Sequence, residues 1–199
     1  MIDTSKEKNK EIPSFESRQL EYKIDIASQV LERNIRFVNS CDNKTSIILT
    51  AIGVLLTLIV TNEGLYEIVE TIKKCVETIN VYRTIYLVIF VLAVVIMAIG
   101  IFNLGRVLVA KTSEKVKGLN SGYSRIFFSG ITRNEDYEEY RKSFCAMGQE
   151  ELLDELLEQV YINARIANDK YSKYNQGFKQ VVIGFILFII VLVIGVVFF

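Results

Sequence analysis

Residues 181 to 199 read VVIGFILFIIVLVIGVVFF and carry no charged side chain. A helix of this length, rising about 1.5 Å per residue, is long enough for a bilayer core of about 30 Å. Phe199 is the last residue, so this helix is expected to insert from one side and leave no tail on the other. Whatever the chain does, this run places it in a membrane.

Two further runs precede it. Ile47 to Val60 (IILTAIGVLLTLIV) is extended by Thr45, Ser46 and Thr61, and Tyr86 to Phe102 reads YLVIFVLAVVIMAIGIF. Neither holds a charge. A buried helix of a soluble core is the competing reading for a run as short as the first, but not for all three in a chain of 199 residues. The expectation is an all-α integral membrane protein with transmembrane helices at about 45–61, 85–103 and 181–199. Their extensions form a cytoplasmic helical bundle. The first forty-four residues are too charged for a signal peptide, so the first span is expected to act as an uncleaved anchor.

Lysine and arginine set the orientation. Eight fall in 1–44, three in 62–84 and twelve in 103–180. The positive-inside rule puts the N-terminus and the region 104–180 in the cytoplasm and the loop at 62–84 outside. Three spans then send the C-terminus outward. The formal net charge is zero, which gives bulk electrostatics no hold on nucleic acid. Cys41, Cys75 and Cys145 form no CxxC and would lie on different sides of the membrane, so they read as free thiols rather than a disulfide or metal set. There is no histidine. No P-loop, GxSxG, HExxH or dinucleotide fingerprint is present, and the acidic runs between Glu135 and Glu155 have the periodicity of solvated helix faces. The chain reads as a non-enzyme without a metal or cofactor.

Residues 1–12 are polar and expected to be disordered, with a single domain over 13–199. Pro13 and Ser14 open a helix whose apolar positions are Leu20, Ile24, Ala27, Leu31, Ile35 and Val38. No breaker separates it from the first span, so one helix is predicted over about 15–61. Leu65, Ile68, Ile72, Cys75 and Ile79 predict a short amphipathic helix at the outer surface, with Tyr66, Tyr82 and Tyr86 as interface anchors. The second span is predicted to run on to about Lys117. A short helix follows (EDYEEYRKSF), capped by Thr132 or Asn134 and ending near Gly148. In the last helix Leu153, Leu157, Val160, Ala164, Ala167, Tyr171, Tyr174 and Phe178 form a heptad seam running into Val181. That seam serves either packing within the chain or contact between copies, and a homo-oligomer is expected.

The spans offer no ionisable group for a coupled ion path, which argues against a pump. Ser46, Thr50, Gly53 and Thr57 share one face of the first span. Small and hydroxyl residues suit close helix packing, or the lining of a pore. At the inner lip Asn39-Ser-Cys-Asp-Asn-Lys-Thr-Ser46 concentrates polar groups. Arg165, Asn168, Lys170, Lys173 and Asn175 stand at the same depth on the last helix. If the two helices pack in parallel, Arg36, Asn39, Asp42, Lys44, Arg165, Lys170 and Lys173 can hold a small phosphate-bearing ligand. The plainer reading is interface chemistry, with Lys44 reaching to headgroups and Asp42 paired with a cation.

FVNSCDNKTSIIL, Phe37 to Leu49, resembles the D-N-K-A-S element that opens the first span of the Pycsar effector transmembrane (PycTM) family. Ile126-Phe-Phe-Ser-Gly-Ile131 is similar to that family's apolar-aromatic-glycine segment, and Tyr137-Glu-Glu-Tyr140 to its acidic-tyrosine helix. Gln159-Val-Tyr through Lys170-Tyr-Ser-Lys-Tyr174 resembles its final helix. The likeness covers roughly 28–199. Thr45 stands where alanine is usual, and an extra serine separates Phe128 from Gly130. The resemblance implies a membrane effector of a bacterial anti-phage system. A partner pyrimidine cyclase makes cyclic CMP or cyclic UMP, the effector impairs the inner membrane, and the infected cell stops growing. Two other readings stand beside it: a membrane-anchored adaptor that recruits a soluble partner through the heptad seam, and a channel-like relative of the SLATT type driven by another nucleotide.

Overall fold

The computed structural model describes residues 14–78, 80–110 and 124–198. It is all-α. Six helices follow in chain order: α1 (Phe15–Ile59), α2 (Asn62–Glu77), α3 (Val81–Leu108), α4 (Phe128–Ile131), α5 (Tyr137–Cys145) and α6 (Gln149–Phe198). Three of them, α1, α3 and α6, are long and apolar enough to cross a membrane, making this a multi-pass membrane protein. The expectation for residues 1–12 lies outside the described residues. The expected continuation of α3 to about Lys117 does not hold: the helix ends at Leu108, where the backbone of Val109 turns extended.

Local chemistry explains the ends of these helices. Ser14 caps α1: its Oγ accepts from the Ser17 N–H at 3.2 Å. At the far end Val60 and Thr61 leave the helix, and Thr61 caps α2 by accepting from the Gly64 N–H. The cap of α5 is Asp136, not Thr132 or Asn134. Asp136 Oδ1 accepts from the Glu139 N–H at 2.8 Å, and Glu139 returns a carboxylate to the Glu135 N–H at 2.7 Å. Asn134 instead donates to the Ile131 carbonyl at 2.9 Å, closing the end of α4. A carboxylate at this N-terminus also meets the helix dipole favourably.

The described residues group into two compact units, and α1 and α6 each contribute to both. The first takes residues 14–34 and 124–163. There the N-terminal part of α1 lies with the start of α6, and Asn34 Nδ2 donates to the Val160 carbonyl at 3.2 Å. Ala27, Leu156 and Ile162 are its buried apolar residues. The segment from Ser124 through α4 is folded tightly: a Cβ on Gly130 would collide with the Ser124 carbonyl.

The second unit takes residues 35–110 and 164–198 and contains the apolar spans. Ile52 of α1, Leu104 of α3 and Val181 of α6 form one core cluster; Cys75 of α2, Tyr86 of α3 and Val191 of α6 form another. Glycine sets the spacing of α3 and α6. A Cβ on Gly100 would stand 2.6 Å from the Val181 nitrogen, and one on Gly184 would stand 2.6 Å from the Met97 nitrogen. At Gly177 it would stand 3.0 Å from the Gly100 carbonyl oxygen. Backbones can approach this closely only where side chains are missing. Tyr86 is therefore no interface anchor: it is 7% exposed, whereas Tyr66 and Tyr82 are 67% and 77% exposed.

Candidate functional site

On α1 one face stays covered along the whole helix, through Leu20, Ala27, Asn34, Val38, Cys41, Thr45, Ile48, Ile52 and Leu56. Near the end of the first span it turns polar. Cys41 and Thr45 are both 0% exposed, and the Thr45 hydroxyl donates to the Cys41 carbonyl at 2.8 Å. That bond lets a hydroxyl sit in the core without an outside partner. Thr45 thus satisfies its hydroxyl within its own helix.

Next to it lies a buried charge. Lys170 is 4% exposed. Its ammonium donates to Asp42 Oδ1 at 2.6 Å, to Asp42 Oδ2 at 2.8 Å and to the Val107 carbonyl at 2.8 Å. An ammonium has three protons, and all three are used. Val107 lies in the last turn of α3, where carbonyls lack helical partners, so Lys170 also caps that helix. One side chain thereby joins α1, α3 and α6. Deeper in the unit, Asn103 Nδ2 donates to Gln180 Oε1 at 2.8 Å. These contacts make a polar layer at the end of the spans that carries Lys44, Arg106 and Lys179.

Asp42 and Lys170 of the sequence-selected set are brought together, but as a closed internal pair. Lys173 pairs with Asp169 at 2.7 Å on its own helix. Arg36, Asn39, Lys44 and Arg165 are exposed. The face formed by Ser46, Thr50, Gly53 and Thr57 is exposed throughout, and a Cβ on Gly53 would meet nothing within 4 Å. Among the described residues it is not a packing face. Close packing falls to Gly100, Gly177 and Gly184, whose signal was present as small residues recurring in apolar runs.

The buried stripe of α6 is also rotated from the heptad seam. Leu156, Gln159, Ile166, Lys170, Gly177, Val181, Gly184, Phe188 and Val191 are buried. Of the seam residues Ala167 is buried and Leu153, Val160, Tyr171 and Tyr174 are half-buried. Leu157, Ala164 and Phe178 are exposed. The apolar pattern selected one face because the true interior includes Gln159, Lys170 and glycines, which an apolar count passes over.

The first unit has a polar centre that no local motif announces. Glu155 accepts from the Ser124 hydroxyl at 3.1 Å, the Arg125 N–H at 2.7 Å and Arg125 Nε at 2.7 Å. Arg125 Nη2 reaches Glu151 at 3.0 Å, and the Tyr140 hydroxyl donates to the Arg125 carbonyl at 3.3 Å. Hydrogen bonding to Glu155 holds the guanidinium charge even more firmly than usual. This clamp ties the segment before α4, and α5 through Tyr140, to α6. Among the described residues no group of three or more histidine, cysteine or acidic side chains could hold a metal ion.

The family model of the PycTM Pycsar effector protein domain matches residues 26–197. The Pycsar effector protein GmPycTM of Gulbenkiania mobilis is 29% identical over 178 residues, covering 82% of this chain and 88% of the relative. No solved structure matches. The chain belongs to the PycTM family of Pycsar effector proteins.

Proposed function

We propose that this PycTM chain is a membrane effector of a bacterial anti-phage signalling system. A cyclic pyrimidine mononucleotide, cyclic CMP or cyclic UMP, activates it. It then impairs the inner membrane, and growth arrest or abortive infection follows. The family match across residues 26–197 carries this reading. The N-terminus and the first unit lie in the cytoplasm, where a cyclase product is made.

The Asp42–Lys170–Val107 tie is the element that responds. It is a charge pair with a buried ammonium and a half-buried carboxylate, and such a pair favours one packing of its helices over others. A ligand that binds a loosened arrangement better shifts the balance by no more than its difference in affinity for the two. The exposed polar groups of the lip, Arg36, Asn39, Lys44 and Arg165, with the half-buried Lys173 beside them, are where an anionic ligand would meet the second unit. Lys44→Ala with Lys173→Ala tests that placement. Copies associate through the open Ser46–Thr50–Gly53–Thr57 face, which becomes a packing or pore-lining surface in the assembly.

A second reading, an adaptor, draws on one observation. Leu157 of the heptad seam, 49% exposed, lines an apolar groove of about 310 Å³ with Ile26, Ala27, Val30, Leu153 and Val160. The deciding measurement is membrane potential in bacteria expressing this chain, with an inducible cyclase supplying cyclic CMP or cyclic UMP. Depolarisation only when both are present is the expected result. No change with either nucleotide, at confirmed inner-membrane expression, sinks the effector reading and favours the adaptor.

A further inference from the structure

A pocket of about 310 Å³ opens in the second unit, at the end of the spans opposite Asp42 and Lys170. Its apolar lining is Leu58 and Ile59 of α1, Ile68 of α2, and Leu192 and Val196 of α6. One charged residue lines it, Glu67 of α2. Glu67 is exposed, and among the described residues it makes no ion pair. From 62 to 72 the chain carries three glutamates and no lysine or arginine. Further along, Lys74 is held by Glu70 at 3.1 Å, and Arg83 donates to the Lys74 carbonyl at 2.7 Å. Lys73 stands about 9 Å along the helix axis from Glu67. The pocket therefore joins apolar walls to a carboxylate that no described side chain neutralises. Apolar walls with one placed polar group are what a small-ligand site offers, and such sites start at about 300 Å³.

The surroundings narrow the ligand. Leu65, Val69 and Val76 recur on one side of α2 and are exposed, while its covered side runs through Thr71 and Cys75, about a quarter-turn away. Glu67, Glu70 and Lys74 make the polar side. A helix divided in this way lies along a membrane interface. The pocket is thus at headgroup depth, within reach of phospholipid. We propose that it holds a phospholipid with a primary-amine headgroup, of the phosphatidylethanolamine type, from the leaflet opposite the lip. The ammonium donates to the Glu67 carboxylate, and part of one acyl chain lies among Leu58, Leu192 and Val196. Thr61 and Thr71 also line the pocket, and their hydroxyls can donate to phosphate or ester oxygens. An ammonium brings three N–H donors to the carboxylate. A choline headgroup has the same charge but no N–H, and a phosphoglycerol headgroup is an anion that the glutamates repel. Only 11% of the most apolar window of α1 is buried, so the lipid adds contact to the span that the chain itself holds least. The inference rests on the membrane-spanning fold and needs no nucleotide.

The test uses the full chain in nanodiscs of phosphatidylcholine mixed in equal parts with phosphatidylethanolamine or with phosphatidylglycerol. Lipid retained by the released protein is counted by native mass spectrometry. Two variants are compared with the parent. Glu67→Gln removes the charge at an exposed position, and Val196→Trp, at a residue 66% exposed, fills the pocket from its rim. The parent is expected to keep phosphatidylethanolamine about 5- to 10-fold over phosphatidylcholine, a value between those of an exposed and a buried charged hydrogen bond. It should show no preference for phosphatidylglycerol. Glu67→Gln should lose the amine preference while unfolding at the parent's temperature in phosphatidylcholine alone. Val196→Trp should retain less of both the amine and the choline lipid. Those two losses together support the proposal. Equal retention of amine and choline lipids by the parent overturns it, as does a preference that survives in Glu67→Gln. Preferred retention of phosphatidylglycerol overturns it by placing the lipid on the cations of the lip, and unchanged retention in Val196→Trp overturns it by placing the lipid outside the pocket.

Discussion

Removing either partner of the Asp42–Lys170 pair should destabilise the protein, but unequally. Lys170 has 5% of its side chain exposed and Asp42 has 32%. In Asp42→Leu the ammonium stays behind in the interior with only the Val107 carbonyl, which costs about 3–5 kcal/mol. In Lys170→Met the stranded carboxylate still reaches water, and the loss is that of charged hydrogen bonds, about 1.5–3 kcal/mol. The double variant Asp42→Leu/Lys170→Met removes both charges and replaces them with apolar volume. It should return to within about 1 kcal/mol of the parent. Unfolding by denaturing detergent in mixed micelles would give the three values, and their cycle, the two single losses less that of the double, should yield a coupling of about 5 kcal/mol. Equal single losses that simply add in the double variant would refute the reasoning, because they would mean that the two charges do not depend on each other. The same variants carry a functional readout. Asp42→Leu should depolarise cells without nucleotide if the tie holds the resting arrangement.

Four other outcomes follow from the geometry. Gly184→Val should force α3 from α6 and cost about 1–3 kcal/mol, whereas Gly53→Val, with open space around it, should change monomer stability little; detergent unfolding reads both. Glu155→Ala should release the segment before α4 and make the 124–145 region cleavable by trypsin while the spans stay protected. Burial raises the Glu158 carboxyl above its ordinary 4.5, with Glu155 adding to the effect. The native state therefore holds that proton more tightly than the unfolded chain. Stability should fall as pH rises from the unfolded value through the raised one, and Glu158→Gln should remove that fall in thermal unfolding scans. Finally, Cys145 is exposed while Cys41 and Cys75 are buried, and burial raises the Cys75 thiol further from reactivity. An impermeant maleimide should label Cys145 in inverted vesicles and not in intact cells. Labelling of intact cells would reverse the assigned orientation.

The helices were legible because their signals are local. Uncharged runs marked the spans, Ser14 marked the start of α1, and the absence of any breaker before Thr61 predicted one continuous helix. What escaped was the identity of the faces. Apolar periodicity placed the interior of α6 on Leu157, Ala164 and Phe178, yet its covered stripe runs through Gln159, Lys170 and Gly177. In water an apolar count finds the core, because apolar area is what burial rewards. In lipid apolar surface is indifferent to exposure, so the interior is chosen by close approach and polar bonding. The Arg125–Glu155 clamp escaped for a different reason. Its partners are thirty positions apart, and neither sits in a recognisable pattern. The lip was found by its density of polar residues, but density did not tell Lys170, which is buried and saturated, from Lys44, which is exposed.

The two ways of holding spans together divide the second unit. Between α3 and α6, Gly100, Gly177 and Gly184 bring backbones into direct approach over about two helical turns. Separating that pair would lose dispersion contact along its whole length, with no apolar gain in lipid to offset it. The first span is held otherwise. Only 11% of its most apolar window is buried, against 22% and 28% for the windows of α3 and α6. Its strongest attachment is concentrated at one end, in Thr45, Cys41 and the Asp42 carboxylate. A change that offers Lys170 or Asp42 another partner would therefore release α1 while leaving α3 and α6 together. The open Ser46–Thr50–Gly53–Thr57 face travels with it. A switch of this kind needs no charge in the bilayer core, which fits three spans whose apolar runs contain none.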